Sequence, residues 1–245
     1  MLAIISDVHG NLAALEAVLS DIQSRRVERI ICLGDLVGYG PDPVECLVAA
    51  RSFDLVLLGN HEEAVLTGAV DFNSRAEMAV NWTRQHLKND AEAKEHMKFL
   101  RKLLTRCEEG NLSFVHGSPR DPTREYIYPG HARDTERMSE IFALIKHFCF
   151  VGHTHTPGVF TSEGEYVHPT ALPAGVCVFH KDKALINVGS VGQPRDDDPR
   201  ACYVTFDGDS AVFRRVKYDI KKTVKKIYET AELADSLGSR LLFGK

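Results

Sequence analysis

The amino-acid sequence of 245 residues predicts an α/β fold that contains two β-sheets. From Leu2 to Leu58, short apolar runs alternate with helical patterns, which is typical of parallel βαβ units. After Gly152 the pattern changes to short strand candidates separated by Gly, Pro and Asp turns, which favours hairpins. A charged helical stretch lies between these two parts. The change in pattern therefore indicates a second sheet rather than one continuous doubly wound sheet.

The N-terminal part of the chain predicts three strands and two helices. Leucines recur at helical spacing after Asn11, a residue type that caps helices, and Pro43 opens the second helix near its first turn. The predicted elements are a strand at 2–6, a helix from Leu12 to Ile22, a strand at 29–33, a helix at 43–51 and a strand at 54–58. This order predicts a parallel sheet with right-handed crossovers.

The middle of the chain predicts a helical insertion at about 62–110, which is rich in charged residues. A strand at 112–116 follows, and then a loop at 117–130 that is rich in Pro and Tyr. A helix at 134–145 and a strand at 147–151 complete this part.

The C-terminal part predicts hairpins at about 156–217 that build the second sheet. The strand candidates are residues 159–161, 176–180, 184–188, 201–206 and 211–216. An amphipathic helix at 220–237 is the last predicted element. No segment has the composition of a linker, so we expect residues 1–245 to form a single domain.

The composition limits the classes of protein to which the chain can belong. A formal net charge of −4 disfavours stable binding to nucleic acid or to an anionic membrane, because both need a cationic surface. The six cysteines form no CxxC pair, and no apolar run is long enough for a signal peptide or a membrane span. We therefore expect a cytoplasmic protein. Exposed edge strands in the C-terminal half are compatible with a homo-oligomer, although nothing requires one.

Short polar clusters lie where apolar runs end, and they supply the candidate site residues. The clusters are Asp7-Val8-His9, Gly34-Asp35, Gly59-Asn60-His61, Val115-His116-Gly117 and Gly152-His153-Thr154-His155. Carboxylate, amide and imidazole groups bind divalent transition metals, and open α/β sheets place their sites at the carboxyl ends of strands. The set predicts two adjacent divalent cations, with the Asp35 carboxylate bridging them.

The order of these clusters resembles the calcineurin-like metallophosphoesterase family over residues 1–155, and residues 189–195 resemble a segment of its small bacterial members. The resemblance implies a four-layer α/β/β/α sandwich of two mixed β-sheets. It also implies a ligand set for each metal. The sets are Asp7, His9, Asp35 and His155 for one metal, and Asp35, Asn60, His116 and His153 for the other.

Such a centre accounts for phosphate-ester hydrolysis. Two cations about 3.5–4 Å apart lower the pKa of a shared water and hold the phosphoryl oxygens for in-line attack by a bridging hydroxide. His61 follows the ligand Asn60 and matches the family histidine that protonates the leaving alkoxide, so it is the candidate general acid. The ligand types suit Mn²⁺, our first expectation, as well as Fe, Zn²⁺ or Ni²⁺.

The chain departs from some relatives after Asp35. Tyr39 stands where the protein phosphatases and the dinucleoside tetraphosphatases of the superfamily carry an Arg, and Gly38 stands where the protein phosphatases carry an Asp. Tyrosine does not replace the charge of a bidentate phosphate clamp, which argues against a protein phosphatase. Replacement cations and a stacking group are expected among the loop residues. The substrate-binding candidates are Tyr39, Arg120, Arg124 and Arg195.

The sequence therefore predicts a metal-dependent phosphatase or phosphodiesterase that acts on a small phosphomonoester, phosphodiester or nucleotide. Two alternatives stay open. One is a hydrolase of dinucleoside polyphosphates such as diadenosine tetraphosphate. The other is a non-catalytic scaffold that binds metal or a partner, against which the presence of His61 speaks, because a scaffold does not need a general acid.

Overall fold

The computed structural model describes residues 1–179 and 182–245. Its strands in chain order are β1 (Leu2–Ile5), β2 (Arg29–Cys32), β3 (Leu55–Val56), β4 (Arg106–Glu109), β5 (Leu112–Val115), β6 (Phe148–Val151), β7 (Gly158–Thr161), β8 (Tyr166–Val167), β9 (Val176–Val178), β10 (Ala184–Asn187), β11 (Ala201–Phe206) and β12 (Ser210–Val216). His180, the expected end of a strand, lies outside the described residues.

Helices pack against the outer faces of both sheets. They are α1 (Leu12–Gln23), α2 (Pro43–Ala50), α3 (Asn60–Thr67), α4 (Ser74–Asn89), α5 (Ala93–Leu100), α6 (Thr135–Leu144), α7 (Ile220–Glu229) and α8 (Asp235–Ser239). Short 3₁₀ turns lie at Pro129–Arg133, Pro169–Ala171, Pro173–Gly175 and Arg240–Leu242. Within the described part of the chain, no helix has the length and apolar character needed to cross a bilayer.

The strands form two mixed six-stranded sheets, which confirms the predicted fold class. The first sheet has the order β3-β2-β1-β11-β12-β9, and the second has the order β4-β5-β6-β10-β7-β8. β1, β2 and β3 pair in parallel as the βαβαβ pattern predicts, and β11 then pairs antiparallel with β1. In the second sheet, β5, β6 and β10 are parallel.

Successive side chains of each strand point to opposite faces of the sheet, and this alternation produces the four layers. In β1, Ile4 packs between the two sheets with Phe114 and Phe150, while Ile5 faces the helices on the outside of the first sheet. Helix α6 covers the outer face of the second sheet, where Ile141 packs against its residues. Successive side chains of a strand point to opposite faces, so each sheet buries one face against the other sheet and one against helices.

Three predicted elements differ from the structure. The hairpins at 156–217 do not build the second sheet alone, because β9, β11 and β12 extend the first sheet while β7, β8 and β10 join the second. The helical insertion at 62–110 ends with the edge strand β4. The helix at 220–237 is two helices, α7 and α8, because the segment between Glu229 and Asp235 is not helical.

Candidate metal centre

The predicted ligand residues converge at one edge of the molecule, where the parallel strands end. Asp7 and His9 follow β1, Asp35 follows β2, and His116 follows β5. The other members of the group are His153 and His155 after β6 and Asn60 at the start of α3. Since both sheets bring the carboxyl ends of their parallel strands to this edge, residues that are far apart in the sequence become neighbours.

One half of the centre contains Asp7, His9 and His155. The Nε2 atoms of His9 and His155 are 3.1 Å apart. Asp7 Oδ1 lies 3.1 Å from Nε2 of His155 and 3.8 Å from Nε2 of His9. These three side chains form a group of the size that a metal ion needs.

The other half contains Asn60, His116 and His153. Nε2 of His116 is 3.2 Å from Asn60 Oδ1 and 3.0 Å from Nδ1 of His153. Asp35, His116 and His153 form a second group that could hold an ion. Asp35, His116 and His153 are all buried.

The Asp35 carboxylate lies between the two halves. Its Oδ2 atom is 3.6 Å from Nε2 of His9 and 3.3 Å from Nε2 of His116. Its other oxygen, Oδ1, accepts a hydrogen bond from the backbone N–H of His61 at 2.9 Å. One oxygen is therefore fixed by the backbone, and the other faces both groups.

Hydrogen bonds to backbone carbonyls fix the orientation of three imidazoles. Nδ1 of His9 lies 3.1 Å from the carbonyl oxygen of Val37, and Nδ1 of His155 lies 2.6 Å from that of Gln193. Nε2 of His153 similarly lies 3.2 Å from the carbonyl oxygen of Arg124. Because a carbonyl only accepts hydrogen bonds, these outer nitrogens donate, and the inner nitrogens of the neutral rings are left with lone pairs.

The inner atoms of the first half are acceptors that face one another, an arrangement that suits a cation. The lone-pair nitrogens of His9 and His155 face each other, and Asp7 Oδ1 is buried and accepts no hydrogen bond within the described part of the chain. Three electron-rich atoms at such short distances repel one another unless a positive charge lies among them. The donor set of imidazole nitrogens and carboxylate oxygens suits a divalent transition metal.

The backbone at the centre is strained. Asp7, His9, Asp35, His153 and His155 all have φ between 49° and 66°, in the left-handed region that L-residues rarely adopt. Each such residue costs about 1 kcal/mol or more, and clusters of this kind occur at functional sites. The fold therefore holds these side chains in positions that the local sequence disfavours.

Glu62 fixes the backbone of the two loops that carry Asp35 and Asn60. Its buried carboxylate accepts hydrogen bonds from the backbone N–H groups of Asp35, Val37 and Gly59, at 2.7, 3.1 and 3.0 Å. Burial, with the nearby charge of Asp35, raises the pKa of Glu62 to about 7. Because it binds the backbone of both loops, Glu62 is a positioning group.

The carboxylates of the centre act on the imidazole of His116. Burial lowers the pKa of His116, but Asp35, with further contributions from Asp7 and Glu62, more than offsets this effect and raises the pKa to about 9. By contrast, burial and the charge of His116 lower the pKa of His153 to about 3. The carboxylates thus favour a positive charge beside Asp35.

His61 lies beside the first half of the centre and is buried. Its ring is 4.7 Å from the ring of His9 and 4.5 Å from that of Tyr39, and its Nδ1 has no hydrogen-bond partner among the described residues. Burial is the main cause that lowers its pKa to about 4. Gly38 has φ of 87°, and a Cβ there would lie 2.1 Å from Nδ1 of His61, so no side chain fits at that position.

A pocket of about 260 Å³ opens beside Asn60 and His153. Tyr126 forms one wall and stacks on the His153 ring at 3.7 Å, and Tyr128 stacks on Tyr126 at 5.4 Å. Phe72, which precedes α4, also lines the pocket, and its ring lies 5.0 Å from that of His61. Phe72 was missed by the sequence analysis because it lies in a connection between two helices, where no periodic pattern marks it.

Two of the four predicted substrate-binding residues, Tyr39 and Arg124, line the pocket. Tyr39 lines the pocket, and the guanidinium carbon of Arg195 lies 5.9 Å from the centre of its ring. Arg124 also lines the pocket, although its Nε is 3.0 Å from a carboxylate oxygen of Glu63. Arg120 is instead held by Glu125 and Glu140 away from the residues that line the pocket.

The fold and this centre define a metallophosphoesterase, and the chain belongs to the calcineurin-like phosphoesterase superfamily, whose domain model matches residues 1–211. A metallophosphoesterase from Sphaerobacter thermophilus is 39% identical and superposes with a TM-score of 0.85, over 100% of this chain and 99% of that chain. An uncharacterised protein of Methanocaldococcus jannaschii is 40% identical over 100% of this chain and 98% of its own length.

A hypothetical protein from Pyrococcus horikoshii shares the fold at 19% identity, with a TM-score of 0.77 over 100% of this chain and 99% of that chain. The predicted resemblance to the family is thus confirmed. Members of this superfamily hydrolyse phosphoester bonds with the help of metal ions.

Proposed function

We propose that the protein is a dinuclear metal-dependent phosphoesterase that acts on a small phosphorylated substrate. The observation that carries this proposal is the pair of donor groups that share Asp35 Oδ2. This oxygen lies 3.6 Å from Nε2 of His9 and 3.3 Å from Nε2 of His116. One carboxylate oxygen that faces two separate donor groups suits a bridge between two cations.

The proposed ligand sets follow the two halves of the centre. Asp7, His9, Asp35 and His155 hold one ion, and Asp35, Asn60, His116 and His153 hold the other. When bound, such ions supply a water of lowered pKa and neutralise the charge of the phosphoryl oxygens. Mn²⁺ is our first choice of metal, and Fe, Zn²⁺ and Ni²⁺ suit the same donors.

We assign His61 the role of general acid toward the leaving alkoxide. The ring lies beside both Asp35 and the pocket wall formed by Phe72. Although burial lowers its pKa, a phosphate dianion bound next to the ring would favour the charged, proton-donating form. Tyr126 lines the pocket beside His153 and gives an aromatic leaving group an apolar surface to contact.

A comparison of leaving groups tests this role. We expect His61→Ala to keep its metal content and to lose about 10²–10⁴-fold in kcat on alkyl phosphates, because a poor leaving group needs a proton. Nitrophenyl phosphate, whose leaving group is stable as an anion, should lose much less. His86→Ala, which changes an exposed histidine, is the control. Equal losses on both esters would contradict the acid role.

A substrate panel separates the proposal from its alternatives. Protein reconstituted with Mn²⁺ is assayed with nitrophenyl phosphate, bis-nitrophenyl phosphate, cyclic nucleotides and diadenosine tetraphosphate. The stacked pair Tyr126 and Tyr128 favours a substrate that carries a base, so diadenosine tetraphosphate is the second candidate. A metal-loaded protein that hydrolyses none of these compounds would support the scaffold alternative.

A further inference from the structure

The segment at residues 189–195 passes from one sheet to the other beside the metal centre. It follows β10 of the second sheet and precedes β11 of the first. Its sequence, Gly-Ser-Val-Gly-Gln-Pro-Arg, resembles a segment of the small bacterial members of the family, and it supplies none of the proposed metal ligands. Residues 189–194 are nevertheless all buried, which indicates that they have a role in the interior.

Three hydrogen bonds attach this segment to the loop that follows β1. The backbone N–H of Val191 donates to the carbonyl oxygen of Ser6 at 3.0 Å, and that of Gly192 donates to the carbonyl oxygen of Asp7 at 2.9 Å. The hydroxyl of Ser190 donates to the same carbonyl oxygen of Asp7 at 2.8 Å. Two donors therefore hold the peptide group of a ligand residue whose φ of 55° is unfavourable by itself.

Gly192 brings the segment into direct contact with the backbone of this loop. A Cβ at Gly192 would lie 1.7 Å from the carbonyl oxygen of Val8, the residue between Asp7 and His9. Asn11 Nδ2 also donates to the carbonyl oxygen of Gly192 at 2.8 Å. Since any side chain at Gly192 would push the two backbones apart, only glycine allows this close approach.

The same segment fixes His155. The carbonyl oxygen of Gln193 accepts from Nδ1 of His155 at 2.6 Å, and the backbone N–H of Arg195 donates to the carbonyl oxygen of His155 at 3.2 Å. Ser190 Oγ accepts from the backbone N–H of Gln193 at 2.8 Å. One hydroxyl group thus donates to Asp7 and accepts from the residue that orients the His155 ring.

The contacts of the segment are made with one half of the centre. Asp7 and His155 belong to the first half, together with His9. Among residues 1–179 and 182–245, no hydrogen bond of the segment reaches a side chain of the other half. Loss of the Ser190 hydroxyl would leave the buried N–H of Gln193 without its acceptor and would remove one of the two donors to Asp7.

We propose that Ser190 is a positioning residue for one of the two ions. Its hydroxyl holds Asp7 and His155 in register, so the segment at 189–195 sets the metal affinity of the first half without contacting the second. Groups that orient metal ligands in this way typically change metal affinity about 10–100-fold when they are removed. This inference rests on the proposed dinuclear phosphoesterase function, and it gives the two ions different dependence on the C-terminal part of the chain.

Titration of Ser190→Ala with Mn²⁺ tests the inference. Electron paramagnetic resonance distinguishes a pair of neighbouring Mn²⁺ ions from a single bound ion. We expect Kd for one ion to rise about 10–100-fold, so that the signal of the pair gives way to that of a single ion at concentrations that fill both sites of the unchanged protein. Gly192→Ala, which separates the segment from Val8, should cause the same selective loss.

The matched control is Thr205→Val on β11. It removes a buried hydroxyl that accepts from Arg214 Nε at 3.2 Å, away from the metal centre. This variant should bind both ions like the unchanged protein. Thermal unfolding of each variant without metal is followed in parallel, so that a loss of folded protein is not mistaken for a loss of affinity.

Anomalous diffraction from Ser190→Ala crystals at limiting Mn²⁺ identifies the ion that is lost. We expect a weaker peak among Asp7, His9 and His155 than in the other half. Full occupancy of both sites, an equal loss at both, or the same loss in Thr205→Val would overturn the inference. If the unchanged protein still hydrolyses phosphate esters, the phosphoesterase proposal survives that result.

The remaining outcomes separate the two proposals. A selective loss of one ion in Ser190→Ala, in a protein that hydrolyses no phosphate ester, would support the inference and contradict only the phosphoesterase proposal. An unchanged protein that binds no Mn²⁺ would overturn both.

Discussion

Single side chains in the centre are positioned by atoms that sequence patterns do not reveal. Asp7, His9 and Asp35 adopt left-handed backbone conformations, and carbonyl groups turn the imidazoles of His9 and His155 inward. The residue types of the centre could be read from the sequence because Asp and His rarely follow so many apolar runs. Which nitrogen of each ring points inward depends on carbonyls such as that of Gln193, which are remote in sequence.

Glu62 offers the sharpest test at this scale. Glu62→Gln replaces one acceptor oxygen by an NH₂ group that faces backbone N–H donors, so the loops that carry Asp35 and Asn60 should shift. We expect metal affinity to fall about 10–100-fold, as is usual for groups that position ligands. Titration with Mn²⁺ measures this change.

The control for that experiment is Glu16→Gln, which changes an exposed carboxylate on α1. It should bind metal like the unchanged protein. An unaltered affinity in Glu62→Gln would show that the backbone geometry at Asp35 does not depend on this carboxylate.

At the scale of elements, local patterns predicted which segments are strands better than they predicted how strands pair. The βαβαβ alternation gave the parallel order of β1, β2 and β3, because short crossovers leave few other arrangements. The hairpin strands were divided between two sheets, which an apolar–polar alternation does not encode. Pairing of β11 with β1 joins segments about 200 residues apart, and this partner choice depends on the whole core.

Helix α1 is attached to the first sheet by Asp21. Its carboxylate accepts from Arg25 at 2.8 and 2.9 Å and from the hydroxyl of Tyr203 on β11. The hydrogen bonds from Arg25 are the largest cause that lowers the pKa of Asp21, and the hydrogen bond from Tyr203 lowers it further. The interaction therefore links an outer helix to the sheet that carries Asp7.

The stability of this link should depend on pH. Because the folded-state pKa of Asp21 is lowered, its contribution is present above the ordinary aspartate pKa of about 3.9 and is lost as the pH falls through the lowered value. We expect Asp21→Asn to reduce the free energy of unfolding by about 1 kcal/mol at pH 7. Urea unfolding at several pH values should show this difference shrinking in acid. Asp209→Asn, at an exposed turn, is the control. A difference that stays constant with pH would contradict this account.

At the scale of the whole molecule, the two sheets share one interior, in which Ile4 of the first sheet packs with Phe150 of the second. This shared core favours our expectation that residues 1–245 form a single domain. The sequence predicted which residues meet at the centre, but it did not predict that Tyr39 and the C-terminal Arg240 line one cavity. That arrangement depends on how α7 and α8 pack against α1 and α4, which no local motif records.

Metal removal should destabilise the whole fold. The proposed cations would offset the repulsion between the facing donor atoms, so their binding would favour the folded state. At a metal concentration of about 100 times Kd, the stabilisation is about 2.7 kcal/mol. Calorimetry with and without a chelator should show a single transition whose midpoint falls when metal is removed. In Asp35→Asn, the chelator should change the midpoint much less. A midpoint of the unchanged protein that is the same with and without chelator would argue against metal binding.

Anomalous diffraction from crystals of the Mn²⁺-loaded protein tests the central claim most directly. We predict two anomalous peaks about 3.5–4 Å apart, one among Asp7, His9 and His155 and the other among Asn60, His116 and His153, with Asp35 Oδ2 between them. A single peak, or the absence of any peak at these side chains, would contradict the dinuclear centre.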